Sequence, residues 1–372
     1  MGMELTFERD DLLYALQVLQ GVASGRNTLP ILSNVLIHAE GNSIECMATD
    51  LEIGIRMKVE GKVTEEGAIT VSAKKLGDIV KELPSDKPID LATTANDRVE
   101  LICGDGVYKI IGMPDEEFPQ LPSVEGNAVA IGGETLRDVL QKTEFAASTE
   151  EVRYFLNGLY FNFLDEKTEV VATDGKRLAL AHCEPLNSPG EAKGFIVPLK
   201  AVREIERTFA ESGEVNVSVF ENQILFTDGD ATLTTRLVDG EYPSYQKIIP
   251  ETSEGKTTVS KEHILRATRR VAVLSNPKNF SISLEIDTEQ IRVSAKTPEL
   301  GEAHETLPVE SSTGTVRIGF DARLLVEAFA HIETESLSIE FSGELNPVLI
   351  KPVGTDNYLT LIMPMRLEPV SA

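Results

Sequence analysis

Ala172-Thr-Asp-Gly-Lys-Arg-Leu178 decides the reading of this chain, because Ala48-Thr-Asp-Leu-Glu52 stands 124 residues before it. The interval recurs. Phe118-Pro119 and Tyr242-Pro243 are also 124 residues apart, and Ala295-Lys-Thr-Pro298 begins 123 residues after Ala172. Self-similarity at a fixed period marks one structural unit used several times. The 372 residues hold that period three times, so three similar domains account for nearly the whole chain.

Each third divides again. Segments beginning near Phe7, Val71, Ile131, Val197, Val259 and Ile318 share a strand-like entry, a polar cap and an amphipathic run of about three turns. Between Val71 and Leu83 the apolar Leu76, Ile79, Val80 and Leu83 fall at i, i+3, i+4 and i+7, the spacing of a helix packed on one face. Leu136, Val139, Leu140 and Thr143 repeat it. Elsewhere the chain alternates, as in Glu214-Val-Asn-Val-Ser-Val-Phe220 and Gln290-Ile-Arg-Val-Ser-Ala295, which predicts antiparallel strands. The expected fold is α+β: three similar domains at 1–122, 130–250 and 257–372, each with two helices packed on antiparallel sheets. Gln120 to Val129 and Lys247 to Thr258, rich in Pro, Gly, Ser and charge, read as linkers.

Composition narrows the function. A 41% hydrophobic content suits a globular protein, and neither a secretory leader nor a long apolar run is visible, so a cytoplasmic protein without a membrane partner is expected. Cys46, Cys103 and Cys183 are odd in number and widely spaced, which argues for buried thiols over a metal site or disulfides. A formal charge of −25 speaks against nucleic acid at first sight. Yet cations gather on the helices: Lys74, Lys75 and Lys81 on the second, Lys200, Arg203 and Arg207 on the fourth, Arg266, Arg269 and Arg270 on the fifth. One such helix reads as an ordinary solvated face. Three in equivalent repeat positions point to a shared basic surface, with acidic clusters such as Asp115-Glu-Glu117 placed elsewhere.

An enzyme would have to start from Asp50 and Asp174 as paired carboxylates. They occupy equivalent positions of the repeat, which favours a turn role. No phosphate-cradling Gly-rich loop or nucleophile elbow is present, and the five histidines lack ligand spacing, so no catalytic residue, metal or cofactor is expected.

Thr28-Leu-Pro-Ile-Leu-Ser-Asn34, Ala48-Thr-Asp-Leu-Glu52, Val152-Arg-Tyr-Phe-Leu-Asn-Gly158, Ala172 to Leu178, Leu237-Val-Asp-Gly-Glu-Tyr-Pro243 and Met363-Pro-Met-Arg-Leu367 together resemble, in order and spacing, the bacterial DNA polymerase III beta subunit. The resemblance covers residues 3 to 367. It implies the DNA clamp fold and a non-catalytic processivity factor: a head-to-tail homodimer forming a six-domain ring around duplex DNA, helices inside and sheets outside. Tyr108 and Ile110 of the first domain would then meet Val273 and Leu274 of the third. Sequence-independent DNA contacts carry over to Arg26, Lys74, Arg153, Tyr154 and Lys200, and the helical charge pattern adds Lys75 and Arg203. At Leu199 the family often has a basic residue, and Phe155 replaces a second common tyrosine. The family's partner cleft carries over to Leu156, Thr173, Gly175, Lys176, Arg177, Leu178, Pro243, Ile248, Pro347, Met363, Pro364 and Met365. It implies binding of short peptides from the polymerase III core, the clamp loader, other polymerases and repair proteins. Glu368 to Ala372 extend past the usual Met-Arg-Leu ending.

Overall fold

A computed structural model describes residues 2–23, 29–121, 128–189 and 194–367. Among these residues six α-helices occur: α1 (Arg9–Ala23), α2 (Ala73–Glu82), α3 (Gly133–Gln141), α4 (Leu199–Thr208), α5 (Lys261–Ala272) and α6 (Ala322–Ala330). A strand runs into each of them, as the six sequence segments predict. The cause is visible at α2. Ser72 ends the strand Gly67–Ser72, and its hydroxyl accepts from Lys75 N at 3.4 Å, satisfying one orphan donor of the first turn. The helix then buries Ala73, Leu76, Gly77 and Val80 and leaves Lys74 and Lys75 exposed. Lys81 in the last turn complements the carbonyl end of the helix dipole. Asp321 caps α6 in the same way, its carboxylate accepting from Arg323 N at 2.9 Å.

α1 packs against α2, and Gln20 Nε2 donates to Ala73 O at 2.9 Å. A Cβ on Gly77 would lie 1.8 Å from that same nitrogen, so a larger residue there would displace the Gln20 side chain from this bond.

The chain divides into two compact units. The first comprises Met1–Arg137, Asn187–Ala192 and Lys200–Leu237. It holds one antiparallel sheet of 13 strands in which Ala231–Arg236 of the second repeat pairs with Ile53–Lys58 of the first, Leu233 opposite Ile55. The strand Gly106–Met113 pairs with Arg98–Cys103 over 106–111 but with Gly67–Ser72 only at Gly112 and Met113, so among the described residues one edge stays open over 106–111. The second unit comprises Asp138–Leu186, Lys193–Leu199 and Val238–Ala372. Here Arg177–Cys183 pairs with Tyr358–Ile362 inside a nine-stranded sheet, and a separate four-stranded sheet ends on Gly301–Pro308. Among the described residues that last strand pairs only with Gln290–Thr297, which leaves its other edge open as well.

All three cysteines are free, and burial pushes the Cys46 thiol up to about 12, so it stays protonated and inert at neutral pH. No helix among the described residues is long and apolar enough to cross a membrane.

Candidate functional site

The repeated Thr-Asp phrase proves to be a turn. Asp174 Oδ1 accepts from Lys176 N at 2.8 Å and Arg177 N at 3.0 Å, while Thr173 Oγ1 accepts from Gly175 N at 3.1 Å. Asp50 does the same for Glu52 N and Ile53 N, at 3.0 and 2.8 Å, and Thr49 Oγ1 receives Leu51 N. Both carboxylates named as catalytic candidates therefore close their own loops. The turn requires a left-handed residue, and glycine supplies it at 175 with φ +85°; Leu51 adopts φ +76° at the equivalent place. The third copy departs from the pattern: the Thr297 hydroxyl donates instead to Leu274 O at 2.9 Å.

In the second unit this turn leads into a buried apolar cluster containing Leu156, Val171, Leu178, Leu180, Tyr242, Tyr245, Leu349 and Leu361. Behind it sits a polar network. Asn162 Nδ2 donates to Tyr245 Oη at 2.7 Å, Tyr245 Oη donates to buried Glu169, and Lys167 Nζ closes on the other Glu169 oxygen at 2.7 Å. Burial and the Glu169 carboxylate push the Tyr245 phenol well above its ordinary range, which keeps it a donor. The chain's final strand brings in the last group. Met363 N donates to Lys176 O at 2.8 Å, and Met365 N to Gly319 O at 2.8 Å. Val348 lies opposite Ile362, so Pro347 and Met363 are neighbours just past the end of that pairing.

The cleft positions therefore divide into two sorts. Leu156, Thr173 and Leu178 are buried, with Leu178 only 1% exposed. Gly175, Lys176, Ile248 and Met363 are exposed, and Arg177, Pro243, Pro347, Pro364 and Met365 are half-buried. Sequence reasoning missed what orients Arg177. Arg177 Nε donates to Asp174 Oδ2 at 3.1 Å, its Nη1 pairs with Glu327 of α6, and its guanidinium carbon lies 5.2 Å from the centroid of the Phe145 ring. The contacts with Phe145 and Glu327 span 32 and 150 residues of chain, and no local pattern announces them.

The residues assigned to DNA separate more widely. Lys74 and Lys75 are exposed on α2, and among the described residues no carboxylate pairs with either. Lys200 on α4 is half-exposed but pairs with Asp50, and Arg203 is exposed beside it. Many neighbouring cations are likewise matched: Arg207 with Glu204 at 3.1 Å, Arg266 with Glu262 at 2.5 Å, and Arg270 with Glu305 through two bonds of 2.7 and 2.6 Å. Arg153 and Tyr154 lie in the irregular turn Glu151–Leu156, not on a long helix. Arg153 donates to Glu150 at 2.7 Å, and a Cβ on Gly175 would stand 2.5 Å from its Nη1, so Arg153 lies against the Gly175 turn. Tyr154 is exposed and meets Phe155 edge-on. Arg26 and the extension Glu368 to Ala372 lie outside the described residues.

At the open edges, Tyr108 is exposed and Ile110 half-buried on Gly106–Met113, while Val273 at the end of α5 is 76% exposed and Leu274 half-buried.

Three family models match in tandem, described as the N-terminal, central and C-terminal domains of the DNA polymerase III beta subunit, over residues 3–122, 130–244 and 246–366. A beta sliding clamp of Pseudomonas aeruginosa is 33% identical over 98% of this chain and all of the relative, and one of Caulobacter vibrioides is 34% identical over the same shares. Among solved structures, a Bartonella birtlesii sliding clamp bound to griselimycin superposes with a TM-score of 0.93 at 33% identity, covering 99% of this chain and 100% of that one. The Bacillus subtilis clamp gives a TM-score of 0.92 at 25% identity, with the same coverage.

Proposed function

This chain belongs to the DNA polymerase III beta subunit family, the bacterial sliding clamps, and from that premise we propose that two copies close head to tail into a ring around duplex DNA. Membership makes it a three-domain, non-catalytic processivity factor. The protein carries that role in the cytoplasm. The three domains run over 1–122, 130–250 and 257–372. Contact between protomers is made by the open strand edges at 106–111 and 301–308, with Tyr108 and Ile110 against Val273 and Leu274. The observation that supports it is the pair of unpaired edges flanked by exposed apolar side chains, a combination that a folded protein normally covers.

Lys74, Lys75, Lys200, Arg203, Arg153, Tyr154 and Arg26 meet the phosphates of the encircled duplex. A topologically held duplex needs only weak phosphate contacts that carry no base information, which suits Lys and Arg on helix faces. Since Lys200 already has Asp50, the unmatched Lys74 and Lys75 make the sharper test. Reversing both to Glu lowers the salt concentration at which loading on circular DNA fails, each lost phosphate contact removing about one unit from the log–log salt slope. Retention that is the same as wild type at every salt concentration would contradict the assignment.

The floor of Leu156 and Leu178, with Pro243, Ile248, Pro347, Met363, Pro364 and Met365 around it, receives short peptides from the polymerase III core, the clamp loader, other polymerases and repair proteins. Flexible thioethers and prolines give an apolar surface that several related side chains can fill. Calorimetric titration with a peptide holding a Gln and two closely spaced apolar residues tests this reading, and no heat of binding at micromolar concentration would sink it.

A further inference from the structure

We infer that Glu327 on α6 is a positioning residue of the cleft, acting through Arg177; this rests on the peptide-cleft reading above. Arg177 is the first residue of the strand Arg177–Cys183, where it stands opposite Ile362. Its predecessor Lys176 takes the Met363 N–H on its carbonyl, and its successor Leu178 is floor. A shift of Arg177 therefore moves the rim and the floor together.

The side chain of Arg177 is only 11% exposed, although it carries a full charge. A guanidinium so placed is tolerable only when its donors are matched, and the matching fixes its orientation. Asp174 takes Nε from within the turn itself, so it cannot tie the turn to anything else. Glu327 takes Nη1 from another element, α6, and is the only described carboxylate outside the turn that does so. Glu327 is in turn held in place at the end of its helix: its carbonyl accepts from His331 N at 3.2 Å and lies 2.7 Å from His331 Nδ1. The His331 ring stacks on Phe145 with centroids 4.0 Å apart, and Phe145 is the ring under Arg177. The loop is closed: α6 holds Glu327 and His331, these hold Arg177 and Phe145, and Arg177 fixes the cleft. A peptide that needs the rim in this place binds a site already shaped for it, and loss of Glu327 makes it pay for the ordering.

The test is a double-mutant cycle on the full-length protein, titrated with one synthetic polymerase-derived peptide carrying a Gln and two closely spaced apolar residues. Glu327→Gln should weaken binding about fivefold, the scale of one charge-assisted contact felt indirectly. Because the Glu327 side chain is 48% exposed, melting temperature and sedimentation should stay at wild-type values. In an Arg177→Met background the same change should have no further effect. If that background does not fold, Arg177→Gln, which removes the charge and keeps a polar side chain, serves the same cycle. Wild-type affinity in E327Q, or an equal loss in both backgrounds, overturns the role of Glu327 alone. A wild-type protein that does not bind the peptide removes the cleft reading and this inference with it.

Discussion

Met363→Asp raises the dissociation constant for a polymerase-derived peptide by about a hundredfold or more while leaving dimerisation and DNA encirclement intact. Met363 is 38% exposed in the free protein, and its structural duty is a backbone bond to Lys176 O, which Asp retains. The free protein therefore loses little. On the proposed reading the same position is covered by apolar peptide side chains in the complex, and a carboxylate there would have to shed water without a partner, at a cost of several kcal/mol. A hundredfold corresponds to about 2.7 kcal/mol, so the estimate is conservative. The contrast with Leu178 is instructive. Leu178→Ala would also impair binding, but at 1% exposure it would destabilise the fold by about 2–5 kcal/mol and confuse the result. Calorimetry on wild type and Met363→Asp decides the matter, and equal affinities would show that peptides bind elsewhere.

The second large effect is on assembly. Val273→Ala together with Leu274→Ala should cost about 2 kcal/mol per interface if the two side chains are covered by the partner protomer. A head-to-tail ring of two has two equivalent interfaces, so the penalty counts twice, giving about 4 kcal/mol and roughly a thousandfold in the dimer dissociation constant. Val273 is largely exposed in the single chain, so the fold itself should hardly notice. Leu274 keeps its carbonyl bond from Thr297 in either case. Sedimentation across a dilution series measures the constant, and an unchanged value would remove Val273 and Leu274 from the interface.

Much of this architecture was legible beforehand because it rests on local chemistry written several times. The caps Ser72 and Asp321 satisfy backbone donors a few residues on, the apolar spacing on α2 follows from burying one helix face, and the 124-residue interval repeats such local units. Asp50 and Asp174 were legible as turn residues for the same reason, since an aspartate two and three places before the N–H groups it accepts is a local event. Illegible were the pairings that tertiary structure alone creates. Lys200 reads as a free cation on a helix face until Asp50, 150 residues away, is found beside it. The placing of the Arg153 guanidinium against the Gly175 turn is hidden in the same way. Glu327 carries no signal at all, because its meaning comes from Arg177 across 150 residues of chain. The open strand edges were equally hidden, since an unpaired edge has the same alternation as a paired one.

The central claim is topological, and a topological measurement tests it most directly. The protein is loaded onto nicked circular duplex DNA by a clamp loader, washed at a salt concentration that strips ordinary phosphate-bound proteins, and the circle is then cut once. A closed ring stays on the circle through the wash and leaves through the ends after linearisation. Loss in the salt wash, or retention on the linear product, would contradict encirclement.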